Sequence, residues 1–422
     1  MSALDIFDKC KTDAGNFGKY RHAEDDYFTR PVLNPIAGRT MKYKDREVIM
    51  WSVNNYLGLA ENEDIKNSAI EAVKEFSVSS PMGSRMMSGN TKYHIDFEKK
   101  LAKYAQKEKA FLFNYGYLGV IGTIASLVQK DDVIVMDKLA HASIVDGVLL
   151  SNQTFRVFRH NDMRSLEKLL IRLNKNRKGG IFIVIEGTYG MTGDLAKLDE
   201  ITYLKEKYNA RLFIDDAHGF GVMGKQGRGT ADFFGVQDKI DIYFGTFAKS
   251  FASIGGFSAS QKEVVDWIQY NARTQVFAKS LPMVYVKSLD KTLGYVINGD
   301  ENRKKMWANS NKLKDGLREL GYYVGKAKSP ICPVFVTSEE SKMEETATKM
   351  LTYLRDHDVF VTVVTYPVIP KGYFMFRMIP TASHIDEDIQ KTVEVFKNMR
   401  EELKLDISID PDRKRQIDKI YE

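Results

Sequence analysis

This chain of 422 residues carries only two cysteines, Cys10 and Cys332. That scarcity excludes a disulfide framework or a thiolate cluster and suits a reducing compartment. No metal site is expected. No apolar run approaches the roughly 18 residues that a membrane span requires. The opening stretch, MSALDIFDKCKTDAG, carries charges where a signal peptide would carry an apolar core, so the chain reads as cytoplasmic. An excess of one charge is also missing, since 62 Lys+Arg against 56 Asp+Glu leave a net charge of only +6. Without a concentrated basic block nothing argues for nucleic acid, although the balance permits peripheral contact with an anionic membrane surface. Repeats and low-complexity segments are absent as well.

What is present is an ordinary globular composition, 43% hydrophobic and 28% charged. The length exceeds what one core usually supports, which implies two domains. Residues 1–53 read as an arm, with Phe17, Tyr20, Tyr27 and Phe28 set between charges. Residues 54–297 read as a large α/β domain, because from about residue 94 short apolar runs alternate with helical periods. That pattern predicts a mostly parallel sheet covered on both faces, closed by the strand at 241–245. Residues 298–405 read as a small α+β domain that includes one strand over 359–364, and residues 406–422 as a charged, peripheral tail.

Open α/β sheets bind ligands beyond the carboxyl ends of their strands. The residues just after each apolar run are therefore the informative ones. Lys249 leaves the run Ile242-Tyr243-Phe244 into Ala252-Ser253-Ile254-Gly255-Gly256, where its amine would be partly dehydrated and its pKa lowered, as a Schiff-base lysine requires. Gly116 and Tyr117 follow the first strand and open a helix whose N–H groups suit a phosphate; an ordinary strand-to-helix turn is the alternative. His141 precedes a helix, placed either to stack on a flat ring or simply to sit in a polar turn. The run from Glu186 to Asp194 is polar and glycine-rich but names no chemistry. Asp215 and Asp216 end an apolar strand, where burial is unfavourable unless one of them meets a cation such as a pyridinium; His218 lies on the following turn. Arg377, inside the apolar run Phe374 to Ile379, needs an anion, either a bound carboxylate or a structural partner.

Together, Asn55-Tyr56-Leu57-Gly58-Leu59, Gly83-Ser84-Arg85, His141-Ala142-Ser143, Asp215-Asp216-Ala217-His218, Thr246-Phe247-Ala248-Lys249 and Arg377 with Thr381-Ala382-Ser383-His384 resemble the α-oxoamine synthases. These are pyridoxal 5'-phosphate (PLP) enzymes of aminotransferase fold type I, among them serine palmitoyltransferase, 8-amino-7-oxononanoate synthase, glycine C-acetyltransferase and 5-aminolevulinate synthase. The resemblance runs from about Asn54 to Leu403. It implies that Lys249 holds PLP and moves protons at the substrate α-carbon, and that Asp215 pairs with the pyridine nitrogen. It further implies that His141 stacks on the ring and His218 lies near the ring hydroxyl, with Gly116, Tyr117 and Thr246 by the phosphate. Arg377 would bind the substrate carboxylate, and the motifs carry Asn55, Tyr56, Ser84 and Arg85 over as further substrate contacts.

Phe-Ala-Lys-Ser occurs twice, at 247–250 and 277–280; the second copy follows a helix, so Lys279 is not the Schiff-base lysine. In the family that later segment approaches the partner subunit's cofactor, which makes Ser280 a phosphate contact. Gly190 stands where serine usually precedes the methionine, Ala248 where many relatives have serine, and Asn90 where threonine usually follows glycine. The implied protein is a homodimer that condenses an amino acid with an acyl thioester, from coenzyme A or a carrier protein, and releases carbon dioxide. Asn271-Ala272-Arg273, Ser329-Pro330-Ile331 and Tyr366 to Pro370 resemble the bacterial serine palmitoyltransferase branch, so serine with a long-chain thioester is the first expectation. Cysteate acyltransfer in sulfonolipid synthesis is the close alternative. Glycine C-acetyltransferase or 8-amino-7-oxononanoate synthase activity, a plain aminotransferase and a catalytically silent PLP-fold protein follow.

Overall fold

The computed structural model describes residues 5–13, 30–34, 37–338, 342–366, 368–369 and 371–421. Phe17, Tyr20, Tyr27 and Phe28 lie outside them, as do Pro367 and Pro370. Two short strands come first, β1 (Thr40–Tyr43) and β2 (Arg46–Met50). The large sheet then uses β3 (Lys109–Phe113), β4 (Val133–Asp137), β5 (Thr154–Phe158), β6 (Ile181–Glu186), β7 (Arg211–Asp215), β8 (Ile242–Thr246) and β9 (Gly256–Ser260), in the order β3-β9-β8-β7-β6-β4-β5. The pairs from β5 through β8 are parallel, and β9 runs antiparallel to both of its neighbours. Central β6, Ile-Phe-Ile-Val-Ile-Glu, is buried at all six positions, as a strand covered on both faces must be.

The sequence reading closed this sheet at residue 245, yet β9 lies in its interior. Gly256-Phe257-Ser258-Ala259-Ser260 has one large apolar side chain and therefore no strand-like pattern, although all five residues are buried. Its hydroxyls are satisfied locally, Ser258 Oγ with Thr123 Oγ1 at 2.6 Å and Ser260 Oγ donating to Asp241 O at 2.6 Å.

The second body is an antiparallel sheet of β10 (Tyr323–Val324), β11 (Cys332–Val336), β13 (Thr362–Val364) and β14 (Phe374–Met378), in the order β10-β11-β14-β13. The strand expected over 359–364 is divided. Its first half, β12 (Val359–Phe360), pairs in parallel with β2, whereas β13 pairs with β14. Through that pairing Ile49 and Trp51 enter the small body's core with Leu313, Phe376 and Phe396, and Trp51 Nε1 donates to Thr392 Oγ1 at 3.0 Å. The segment read as an arm thus contributes core residues. The tail is likewise not peripheral. Residues Pro411–Tyr421 form a helix whose Ile417 and Ile420 are buried, because isoleucines three apart share one helix face. Among the described residues no helix is long and apolar enough to cross a membrane.

Candidate active site

The parallel strands point their carboxyl ends at one crevice. β7 delivers Asp215, 4% exposed, whose Oδ1 accepts from Ala217 N at 3.1 Å. Burial raises its pKa against the pull of Lys249 and His141, and among the described residues it forms no salt bridge. Its neighbour Asp216 is consumed structurally. It accepts from Thr230 N at 2.7 Å, Thr230 Oγ1 at 2.5 Å and Tyr243 OH at 3.0 Å, and burial pushes its pKa up to about 7. Of the two acids, only Asp215 is left to meet a cation.

β8 delivers Lys249, half-buried, where desolvation lowers the amine's pKa, Asp215 opposes that shift and the Arg377 charge adds to it. Lys279 is half-buried too, but its Nζ points to Met82 Sδ, 3.5 Å away. His141, beyond β4, caps the helix Ala142–Ser151; Nδ1 meets Ser143 Oγ at 2.8 Å while the ring stays exposed toward the solvent. Desolvation nevertheless lowers its pKa, opposed by Asp215. The helix Gly116–Leu127 starts after β3 with no side-chain cap, so its first N–H groups are left for a ligand. A Cβ at Gly116 would lie 2.5 Å from Thr246 Oγ1, so glycine is needed where these two approach. Thr246 Oγ1 itself donates to Gly255 O at 3.0 Å. Tyr117 is half-exposed and its hydroxyl bonds to Asp146.

Beyond β7, His218 Nδ1 shares a 2.9 Å hydrogen bond with Tyr56 OH. Burial holds His218 well below its ordinary pKa, and pushes Tyr56 up to about 12. Arg377 donates from Nε to Gly190 O at 2.6 Å and from Nη2 to Asn54 Oδ1 at 3.0 Å, and no carboxylate among the described residues pairs with it. A Cβ at Gly190 would run into the His218 imidazole, so the glycine found in place of serine lets that ring sit where it does.

Two residues here escaped the sequence reading. Asn54, not Asn55, holds Arg377; Asn55 Oδ1 accepts from Ala60 N at 3.2 Å and supports the turn. Glu186 ends β6 in register with Asp215, buried, with Gly190 N donating to its Oε2 at 3.3 Å. Burial and the Asp215 charge raise its pKa well above the ordinary glutamate value, which favours the protonated acid. An acid ending a fully apolar strand was the available signal.

Ser84, Arg85 and Ser280 are not brought to this crevice within one chain. Ser84 forms an isolated β-bridge with Lys279, and Ser280 Oγ donates to Gly89 O at 2.8 Å. Arg85 forms a two-pronged pair with Glu98 at 2.7 and 2.9 Å, both side chains 7% exposed. Arg85→Ala would leave that buried carboxylate without its cation, held only by Leu112 N at 2.9 Å, so we expect a loss of about 3 kcal/mol of stability in a denaturant melt.

A buried imidazole ties two of the site's loops together. His160 bridges Asp137 Oδ1 and Asp194 Oδ2, each at 2.8 Å. Asp137 starts the turn to His141, and Asp194 closes the turn that carries Gly190. Burial favours the neutral ring, but the two carboxylates outweigh it and raise the pKa to about 10. Because the folded value exceeds the unfolded one near 6.5, the stabilisation is complete below pH 6.5 and disappears as pH rises through about 10. His160→Gln should therefore be destabilised by roughly 3 kcal/mol at pH 6. In thermal melts the gap to the wild type should narrow steadily toward pH 10.

A buried carboxylate without an ion pair, a desolvated lysine and an uncapped helix start beside a threonine match the pyridinium, aldehyde and phosphate of PLP. The chain matches the aminotransferase class I and II family over residues 46–396. It is 45% identical over 403 residues to a cysteate-C-fatty acyltransferase of Capnocytophaga ochracea, an alignment covering 94% of this chain and 95% of that protein. A serine palmitoyltransferase of Bacteriovorax stolpii is 37% identical over 372 residues, covering 88% of this chain and 87% of that one. The solved Sphingomonas wittichii serine palmitoyltransferase superposes with a TM-score of 0.87 at 29% identity, covering 95% of this chain and 99% of that one.

Proposed function

Because the chain belongs to the aminotransferase class I and II family, and within it to the PLP-dependent α-oxoamine synthase acyltransferases, we propose that it condenses L-cysteate with a long-chain fatty acyl thioester. The products would be a sulfonated β-ketoamine, carbon dioxide and free thiol. A carbon–carbon bond forms at the amino acid's α-carbon as its carboxylate leaves and the thioester C–S bond breaks. The observation that carries this reading is the 45% identity, over almost the full length of both chains, to an enzyme named for cysteate. It moves the first expectation away from serine, which stays as the second reading on the 37% identical relative.

PLP, when bound, supplies the sink for the electron pair left at the α-carbon. Lys249 would hold PLP covalently and then carry a proton to and from that carbon, in a setting whose desolvation favours the neutral amine. Asp215 would keep a proton on the pyridine nitrogen, and His141 would cover one ring face. Gly116 and Thr246 would seat the phosphate. Arg377, set by Gly190 O and Asn54, would bind the substrate carboxylate, with neutral His218 and Tyr56 beside it. We further place the enzyme in the cytoplasm as a homodimer. Val78, Met82, Met87 and Phe277 are exposed apolar side chains near the segments of Ser84 and Ser280, a surface that a second copy would cover.

The experiment supplies purified protein with PLP, a long-chain acyl-coenzyme A and one amino acid at a time, and follows free thiol. Thiol release with cysteate, exceeding that with serine, glycine or alanine, is expected. A keto acid without thiol would instead mark an aminotransferase.

A further inference from the structure

The helix Pro411–Tyr421 reaches the turn on which the carboxylate site is built. Tyr421 OH donates to Thr192 O at 3.0 Å, two residues from Gly190, whose own carbonyl receives Arg377. That turn is compact, closed by Gly193 N donating to Tyr189 O at 2.9 Å with Gly193 at φ +74°. The hydroxyl of Tyr421 fits only because residue 325 is glycine, since a Cβ there would collide with it. Asp418 anchors the same helix through Tyr323 OH and through Lys326 Nζ at 3.1 Å. On β14, Met375 and Arg377 project from one face. Ile417 packs in one cluster with Met375. The helix thus covers the sheet face from which Arg377 extends and bonds to the loop that Arg377 meets.

We infer that Tyr421 is a positioning residue for the carboxylate site: by holding the Tyr189–Gly193 turn through Thr192, it fixes the Gly190 carbonyl against which Arg377 is set. The inference rests on the reading of Arg377 as the carboxylate ligand. The last helix then acts as a brace that determines amino-acid affinity from outside the crevice.

The test compares Tyr421→Phe with Tyr322→Phe in the full-length, PLP-loaded protein. Tyr322 OH also donates to a backbone carbonyl, that of Phe396 at 2.9 Å, but inside the small body's core. Both variants lose one tyrosine hydroxyl bond, and both should melt slightly earlier. Only Tyr421→Phe should raise the amino acid's KM, by about fivefold with kcat within about twofold. The same rise should appear in the half-saturation of the PLP visible spectrum. Only Tyr421→Phe should speed hydrogen–deuterium exchange of the amides between residues 187 and 195. An unchanged KM and unchanged exchange in Tyr421→Phe overturn the proposal. If no amino acid perturbs the wild-type spectrum, the reading of Arg377 has failed, and the exchange result alone decides whether Tyr421 holds the turn.

Discussion

Lys249→Ala is expected to abolish condensation, lowering kcat by at least about 10⁴-fold. PLP should no longer survive gel filtration with the protein, and borohydride should leave no covalent adduct. The size of the effect follows from two roles resting on one amine. Burial lowers the Lys249 amine's pKa, and Asp215 and Arg377 are the charges that act on it, so the amine lies with the groups assigned to the cofactor and the carboxylate. Lys279, in the duplicate Phe-Ala-Lys-Ser, lies against Met82, and Lys279→Ala should keep the adduct. Loss of the adduct in Lys279→Ala with retention in Lys249→Ala would reverse the assignment.

Arg377→Ala should lower kcat/KM by roughly 10²–10³-fold, since removing one partner of a buried charged contact costs ~2–5 kcal/mol. The loss should appear mainly in the amino acid's KM, with the thioester's KM nearly unchanged. Arg377→Lys should recover only part of it. An ammonium restores a charge, but it cannot donate at once to Gly190 O and Asn54 Oδ1 and still present a planar edge to a carboxylate. Steady-state kinetics with each substrate varied in turn separates these outcomes. An equal loss in the thioester's KM would remove Arg377 from the carboxylate role.

The residues that sequence patterns exposed are those where an apolar strand ends abruptly in a polar side chain. Asp215, Lys249 and His141 all follow buried runs, and the parallel sheet brings those ends together. What stayed hidden depended on direction or on distant partners. Asn54 and Asn55 are chemically identical, and only the backbone decides which faces Arg377 and which caps its own turn. The partner of Arg85 was not legible, because Glu98 comes beside it only through the helix Lys92–Tyr104. Strand β9 carries too few large side chains to show a period. The last helix was hidden by its charges, because its burial depends on a narrow stripe of Ile417, Ile420 and Tyr421.

The most direct test is a competition. Purified protein, PLP and a long-chain acyl-coenzyme A are incubated with equal concentrations of L-cysteate and L-serine, and the ketoamines are identified by mass spectrometry. The account predicts the sulfonated product in excess, by about tenfold or more, which corresponds to ~1.4 kcal/mol of discrimination. A mixture dominated by the hydroxylated ketoamine would contradict it and make the enzyme a serine acyltransferase.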